Sequence, residues 1–231
     1  MTKIKICGLF RDEDIDSANE ARPDYIGFVF APSRRRVSPR RAARLRARLM
    51  GGIIPVGVFV NAPAEEIIAL YDRGIIAMAQ LHGGEDGAYI AALKGRSAVP
   101  VIRALRIETA EDLPPGVCCA SRIRSQKIHK YNRLLGGQGG RAGTPDFFLL
   151  DHGAGGTGRA FDWSLLKDVS GPGLFGSSCF LAGGIGIHNI EGALAYGPYG
   201  IDVSGGAETH GLKDRDKMIR LVQKVREGVG G

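Results

Sequence analysis

Eight short apolar runs recur along the chain at fairly even intervals, and they constrain the fold more than any other feature. They fall at residues 3–6, 25–30, 55–60, 78–81, 99–105, 147–150, 179–182 and 200–203. Helix-like segments lie between them. In residues 63–71, Glu65 and Glu66 precede Ile67, Ile68 and Leu70, the order a helix dipole favours at a first turn. Alternation of this kind predicts parallel strands joined by crossover helices. The runs at 25–30 (YIGFVF) and 55–60 (PVGVFV) are almost continuously apolar, as burial on both faces of a sheet requires.

A closed barrel and a doubly wound open sheet both satisfy that alternation. The residues that follow the runs favour the barrel. Nearly every run ends in a polar residue or glycine: Cys7-Gly8, Asn61, His82-Gly83, Asp151, Gly183-Gly184 and Ser204-Gly205. In a barrel these ends converge on one rim, whereas an open sheet concentrates them at one switch point. No GxGxxG turn opens the first βα unit, and no acidic partner for a dinucleotide is identified. A length of 231 residues suits one (βα)8 barrel with a closed, parallel, eight-stranded sheet, and 44% hydrophobic residues supply its core. The whole chain, 1–231, is read as a single domain. Residues 134–145 (LLGGQGGRAGTP), with five glycines, are read as a flexible surface insertion ahead of the sixth strand.

A formal charge of +7 favours acidic partners, whether nucleic acid, an anionic membrane surface or a phosphorylated metabolite. Much of the excess lies in residues 34–48. There Ser38-Pro39 looks like a helix start, and Ala42, Leu45 and Leu49 form an apolar stripe beneath a solvated arginine face. The four cysteines, at 7, 118, 119 and 179, lack CxxC spacing, so a disulfide scaffold or zinc site is not expected. The first residues read as no signal peptide, and no apolar run reaches the roughly 20 residues of a spanning helix, so a cytoplasmic protein with no membrane partner is expected. The alternation leaves the oligomeric state open.

Several strand ends carry chemistry. Cys7 closes the first run; a thiolate there can act as base or nucleophile if its pKa is lowered, while the other reading is a packed thiol. Lys5 is read as pointing away from it on a regular strand. Asp151 closes the sixth run before residues 153–158 (GAGGTG), a segment suited to a lid; the alternative is a helix cap. Arg35 suits bidentate pairing with a carboxylate or phosphate, although Arg34 and Arg36 are chemically equivalent. His82 either orients a substrate or is an ordinary loop residue. The turns at Gly183-Gly184 and at Ser204-Gly205-Gly206, after the seventh and eighth runs, sit where many barrels bind phosphate through backbone N–H groups. The alternative there is a pair of tight turns. No HExxH, EF-hand, Walker or clustered Cys/His pattern occurs, so no metal and no cofactor is implied.

In order along the chain, Lys5-Ile6-Cys7-Gly8, Gly27-Phe28-Val29-Phe30, Ser33-Arg34-Arg35, Val56-Gly57-Val58-Phe59-Val60-Asn61 and Gln80-Leu81-His82-Gly83 form a characteristic series. Leu149-Leu150-Asp151, Gly155-Gly156-Thr157-Gly158, Phe161-Asp162-Trp163, Leu181-Ala182-Gly183-Gly184-Ile185 and Asp202-Val203-Ser204 continue it. The series resembles the phosphoribosylanthranilate isomerases of tryptophan biosynthesis. The resemblance implies a cofactor-independent Amadori rearrangement of N-(5-phosphoribosyl)anthranilate to an open-chain 1-deoxyribulose phosphate. It implies Asp151 as general acid on the ribose ring oxygen and Cys7 as general base at C2. It places Arg35 on the anthranilate carboxylate, the backbone around Gly183, Gly184, Ser204 and Gly205 on the phosphate, and His82 and Asp202 among the substrate contacts. Where the family usually has two serines, this chain has Ser204-Gly205, which predicts weaker phosphate contacts at most. The 134–145 insertion, at the far end of the sixth strand, is expected to leave Asp151 undisturbed.

Other readings make distinct demands. A histidine-pathway aminoaldose isomerase does the same chemistry with two aspartates at strand ends, whereas the first run here ends in Cys7. A ribulose-phosphate epimerase needs metal ligands, and His82 has no matching histidine. A nucleic-acid-binding module using Arg34 to Arg48 is a different class, but those arginines are not interleaved with aromatic residues. A barrel that binds without turnover is not indicated, since both proton-transfer residues are present.

Overall fold

The structure is a computed structural model, and it describes residues 1–107, 143–151 and 178–228. Eight strands close into a parallel barrel: β1 (Lys3–Cys7), β2 (Tyr25–Val29), β3 (Ile54–Phe59), β4 (Met78–Leu81), β5 (Val101–Arg106), β6 (Phe147–Asp151), β7 (Cys179–Leu181) and β8 (Gly200–Val203). Closure comes from β1 beside β8, with Lys3 opposite Gly200 and Ile6 opposite Val203. Among the described residues the helices between them are α1 (Asp12–Ala21), α2 (Pro39–Arg48), α3 (Ala64–Asp72), α4 (Gly87–Lys94) and α5 (Ile190–Leu194), and α6 (Arg215–Glu227) follows the barrel. A two-stranded antiparallel hairpin, β9 (Glu208–Thr209) and β10 (Leu212–Lys213), lies between β8 and α6.

All eight expected strands are present, with small shifts at their ends. β5 starts at Val101 rather than 99, because Pro100 has no N–H to give the ladder, although its carbonyl still accepts from Ala79 N at 2.9 Å. β1 and β6 each extend by one residue, so that Cys7 and Asp151 are the last residues of their strands.

The two-residue period of a strand divides the core into two layers. Ile4, Ile6, Ile26, Phe28, Ala79 and Leu81 face outward to the helices. Inside, Tyr25, Val56, Met78, Ile102, Ala104, Leu149, Phe180 and Ala182 fill the barrel. At its N-terminal end Tyr25 and Tyr199 share a hydroxyl hydrogen bond of 2.6 Å, and Phe180 meets both rings edge-on at 5.5 and 5.2 Å. Gly200 makes room for that plug, since a Cβ there would lie 2.6 Å from the Phe180 ring.

α2 starts as expected, with Ser38 Oγ accepting from Arg41 N at 3.2 Å and Pro39 in the first turn. Its buried stripe is Ala42 and Leu45, continued by Leu49. Arg41 and Arg48 pair with Asp12 and Asp16 of α1 on the exposed side. Most of the 134–145 insertion lies outside the described residues, as do Cys118, Cys119, the 153–158 segment and Phe161-Asp162-Trp163. Among the described residues no helix is long and apolar enough to cross a membrane.

Candidate active site

The C-terminal ends of the eight strands form one rim, and the barrel below is filled by side chains, so chemistry has one mouth in which to occur. Cys7 ends β1 with its side chain in the interior. Gly27, its partner on β2, leaves the space its sulfur needs: a Cβ at Gly27 would come 2.6 Å from Cys7 Sγ. The chain turns sharply at Gly8, whose φ of +86° only glycine adopts without strain. The Arg35 side chain crosses that turn, with its Cδ 2.4 Å from where a Gly8 Cβ would stand.

Lys5 does not point away from Cys7. Residues two apart on a strand share a face, so both project into the barrel. Lys5 is fully buried and donates to Asp202 Oδ1 at 2.8 Å. Burial favours the neutral amine, but Asp202 and the neighbouring Cys7 outweigh it and keep Lys5 above the ordinary lysine pKa. For Cys7, burial pushes the thiol up from its usual value, and the charge of Lys5 opposes that rise. Asp202 is thus held by a buried lysine. Ser204 Oγ, beyond β8, donates to the Cys7 carbonyl at 3.2 Å and ties the eighth strand end to the first.

Across the rim, His82 follows β4 and lies beside Asp151 at the end of β6, with Nε2 to Oδ2 3.5 Å. Because β5 separates those strands, the contact requires both side chains to lie over the mouth. Gln80, two residues earlier on the same face and buried, places its amide nitrogen 3.0 Å from His82 Nδ1. With that amide as donor, Nε2 carries the imidazole proton and turns it toward Asp151. The turn bearing His82 is clamped from beneath. Arg103 of β5 donates to the carbonyls of Leu81 and Gly83 and to Glu85, while Glu85 accepts from the backbone N–H groups of Asn61 and Gly83.

The turns after β7 and β8 press together. Gly183 and Gly184 both have positive φ, and Asn189 closes their loop through Gly184 O and Gly186 N. Gly206 packs on Ile185 so closely that a Cβ would fall 2.0 Å from its carbonyl oxygen, whereas Gly205 faces open space.

Two buried residues of this mouth are absent from the sequence-based expectations. The β9–β10 hairpin sets Glu208 opposite Lys213, and Glu208 accepts from Arg35 Nε at 2.6 Å, Arg35 Nη2 at 2.9 Å and Lys213 Nζ at 2.7 Å. Exposed Arg34 adds a bond to the same carboxylate at 2.6 Å. Burial pushes Glu208 up, but its bonds to Arg35 and Lys213 prevail and hold it at about 2. Burial pulls Lys213 below the usual lysine range against the attraction of Glu208. Neither residue ends a barrel strand, so the rule that located Cys7 and Asp151 passes over them. Among the described residues no group of three or more His, Cys, Asp or Glu side chains is placed to hold a metal.

Titratable side chains at several strand ends around one mouth define an α/β-barrel of the enzyme type, and a thiol in the same mouth as a carboxylate suits an isomerase that moves protons between oxygen and carbon. The sequence model of N-(5'-phosphoribosyl)anthranilate (PRA) isomerase matches residues 4–121 and 137–224. The chain belongs to this family, and it is an isomerase of tryptophan biosynthesis. It is 39% identical to N-(5'-phosphoribosyl)anthranilate isomerase of Endomicrobium trichonymphae over 98% of this chain and 99% of that one. The phosphoribosyl anthranilate isomerase of Thermus thermophilus superposes with a TM-score of 0.75 at 30% identity, covering 98% of this chain and 99% of that one. Another phosphoribosyl anthranilate isomerase structure, in complex with reduced 1-(o-carboxyphenylamino)-1-deoxyribulose 5-phosphate, gives 0.72 at 28% identity, covering 98% and 99%.

Proposed function

We propose that Asp151 and Cys7 are the general acid and general base of the Amadori rearrangement in this chain. Asp151 gives its proton to the ribose ring oxygen as the C1–O bond breaks, and the anthranilate nitrogen lone pair forms the protonated Schiff base. The Cys7 thiolate then takes the C2 proton, and the C2–H electrons flow to C1 and neutralise the iminium nitrogen. The resulting enolamine tautomerises to the ketone. Two groups of different type suit a reaction that protonates oxygen and deprotonates carbon. The observation that carries the reading is that β1 and β6 of one closed barrel end in these two residues, with Asp151 reached by His82 from β4.

The substrate is read as a small anionic sugar phosphate, like the ligand of the relative solved in complex. Arg35 pairs with its aromatic carboxylate. The main chain around Gly183, Gly184, Ser204 and Gly205 takes the phosphate, His82 supports the acid, and the Asp202 oxygen not engaged by Lys5 takes a sugar hydroxyl. No cofactor enters these steps. A phosphorylated, multiply charged substrate does not cross membranes unaided, which favours work in the cytoplasm, where such metabolites are made. The arginine face of α2 is engaged in part by Asp12 and Asp16, which favours a solvated surface over a nucleic-acid site.

The test is to generate the unstable substrate in situ and follow the loss of its fluorescence with wild type, Cys7→Ala and Asp151→Asn. Both variants are expected to lose at least about a hundredfold in kcat, the size of a general acid–base contribution. Undiminished turnover in either removes that residue from the mechanism.

A further inference from the structure

Among the described residues the buried charges behind Cys7 do not balance. Lys5 of β1, Lys213 of β10 and Arg35 from the turn after β2 are all buried, and Asp202 and Glu208 are the buried carboxylates that answer them. Among the described residues one positive charge is left over, and a Cys7 thiolate or a substrate carboxylate is an anion that completes the group. Glu208 is the hub of this arrangement. It takes the Nε–Nη2 edge of Arg35 and so turns the remaining Nη1 of the guanidinium away from the pair. It also fixes Lys213, whose ammonium donates to the carbonyl of Ser204, the residue whose hydroxyl bonds the Cys7 carbonyl.

We propose that Glu208 is a positioning residue with two arms: through Arg35 it fixes the guanidinium that receives the aromatic carboxylate, and through Lys213 it holds a cation beside Cys7. The proposal rests on the roles given above to Arg35 and Cys7. The hairpin explains the economy of the arrangement, because a two-residue register places Glu208 and Lys213 side by side while the preceding turn, with Glu208 N donating to Gly205 O, swings the pair back over the mouth. Lys213 lowers the cost of a thiolate at Cys7, as does Lys5, and Asp202 opposes both.

The two arms have separate readouts. In Glu208→Gln, KM for the in situ substrate rises about tenfold or more with a smaller change in kcat, because the guanidinium is no longer fixed. In Lys213→Met, alkylation of Cys7 by iodoacetamide, followed by mass spectrometry of the Cys7 peptide across pH, slows about tenfold at pH 8 and its profile moves to higher pH. KM stays near wild type. If Glu208→Gln unfolds because it leaves a buried ammonium unpaired, the double variant Glu208→Gln/Lys213→Met, neutral at both positions, is expected to show both effects together. An unchanged KM in a folded variant lacking Glu208 overturns the first arm, and an unchanged alkylation profile in either variant lacking Lys213 overturns the second. Alkylation needs no turnover, so these outcomes are distinct from the failure of Cys7 as base, which active Cys7→Ala would reveal.

Discussion

His82 Nε2 lies 3.5 Å from Asp151 Oδ2, joining the ends of β4 and β6 across the end of β5. Gln80 aims the imidazole from behind, and with its amide donating to Nδ1 the Nε2 proton is turned toward Asp151, the proposed acid. His82→Ala therefore lowers kcat by about ten- to a hundredfold, below or at the bottom of the usual range for a direct acid or base. Gln80→Leu, which keeps the volume and removes the amide, reproduces part of that loss. Steady-state kinetics on both variants check this, and a Gln80→Leu enzyme with full kcat would separate the glutamine from catalysis.

Gly27 is required by the sulfur above it. In Gly27→Ala the new methyl would meet Cys7 Sγ at 2.6 Å and the Cys7 Cα at 3.1 Å. Relief of that clash costs about 1–3 kcal/mol of stability, typical of overpacking, and displaces the thiol. The expected outcome is a lower Tm together with a loss of kcat larger than any change in KM, measured by thermal melting and kinetics.

Gly205 offers the opposite case. Nothing stands within 4 Å of a Cβ built there, so Gly205→Ser is accommodated and restores a second hydroxyl beside Ser204. One added hydrogen bond of about 0.5–1.5 kcal/mol corresponds to a KM lower by roughly two- to tenfold with Tm unchanged. Inorganic phosphate, titrated as a competitive inhibitor, should show the same gain in affinity, and no gain in either would place the phosphate elsewhere.

Glu208 makes stability depend on acid pH. Its pKa falls from 4.5 in the unfolded chain to about 2 in the folded one, so the folded state binds the proton more weakly. The stabilisation is complete above 4.5 and is lost as pH falls from there through about 2. Melting temperatures across pH 2 to 6 should therefore fall less steeply in Glu208→Gln than in wild type. Parallel curves would mean that the carboxylate is not held as its bonds to Arg35 and Lys213 require.

The strands were legible because each needed only a local apolar run and a polar stop, and β4 and β8 match the expected bounds in full. The positions of Cys7 and Asp151 at strand ends were legible for the same reason, since each sits where a run ends. The Lys5 expectation failed on a two-residue period: it treats residues 5 and 7 as opposed when they share a face. Glu208 lies 173 positions from Arg35 on a two-residue strand with no apolar pattern, so its pairing emerges only when the barrel closes β8 against β1. The Tyr25–Tyr199 bond, spanning 174 positions, is hidden in the same way.

That tyrosine pair, with Phe180 wedged against it, seals the floor of the barrel. With that end plugged, a rearranged product formed at the mouth retreats along the path by which the next substrate arrives. Traffic through this enzyme is single-lane, and accumulated product will queue against incoming substrate at the same threshold.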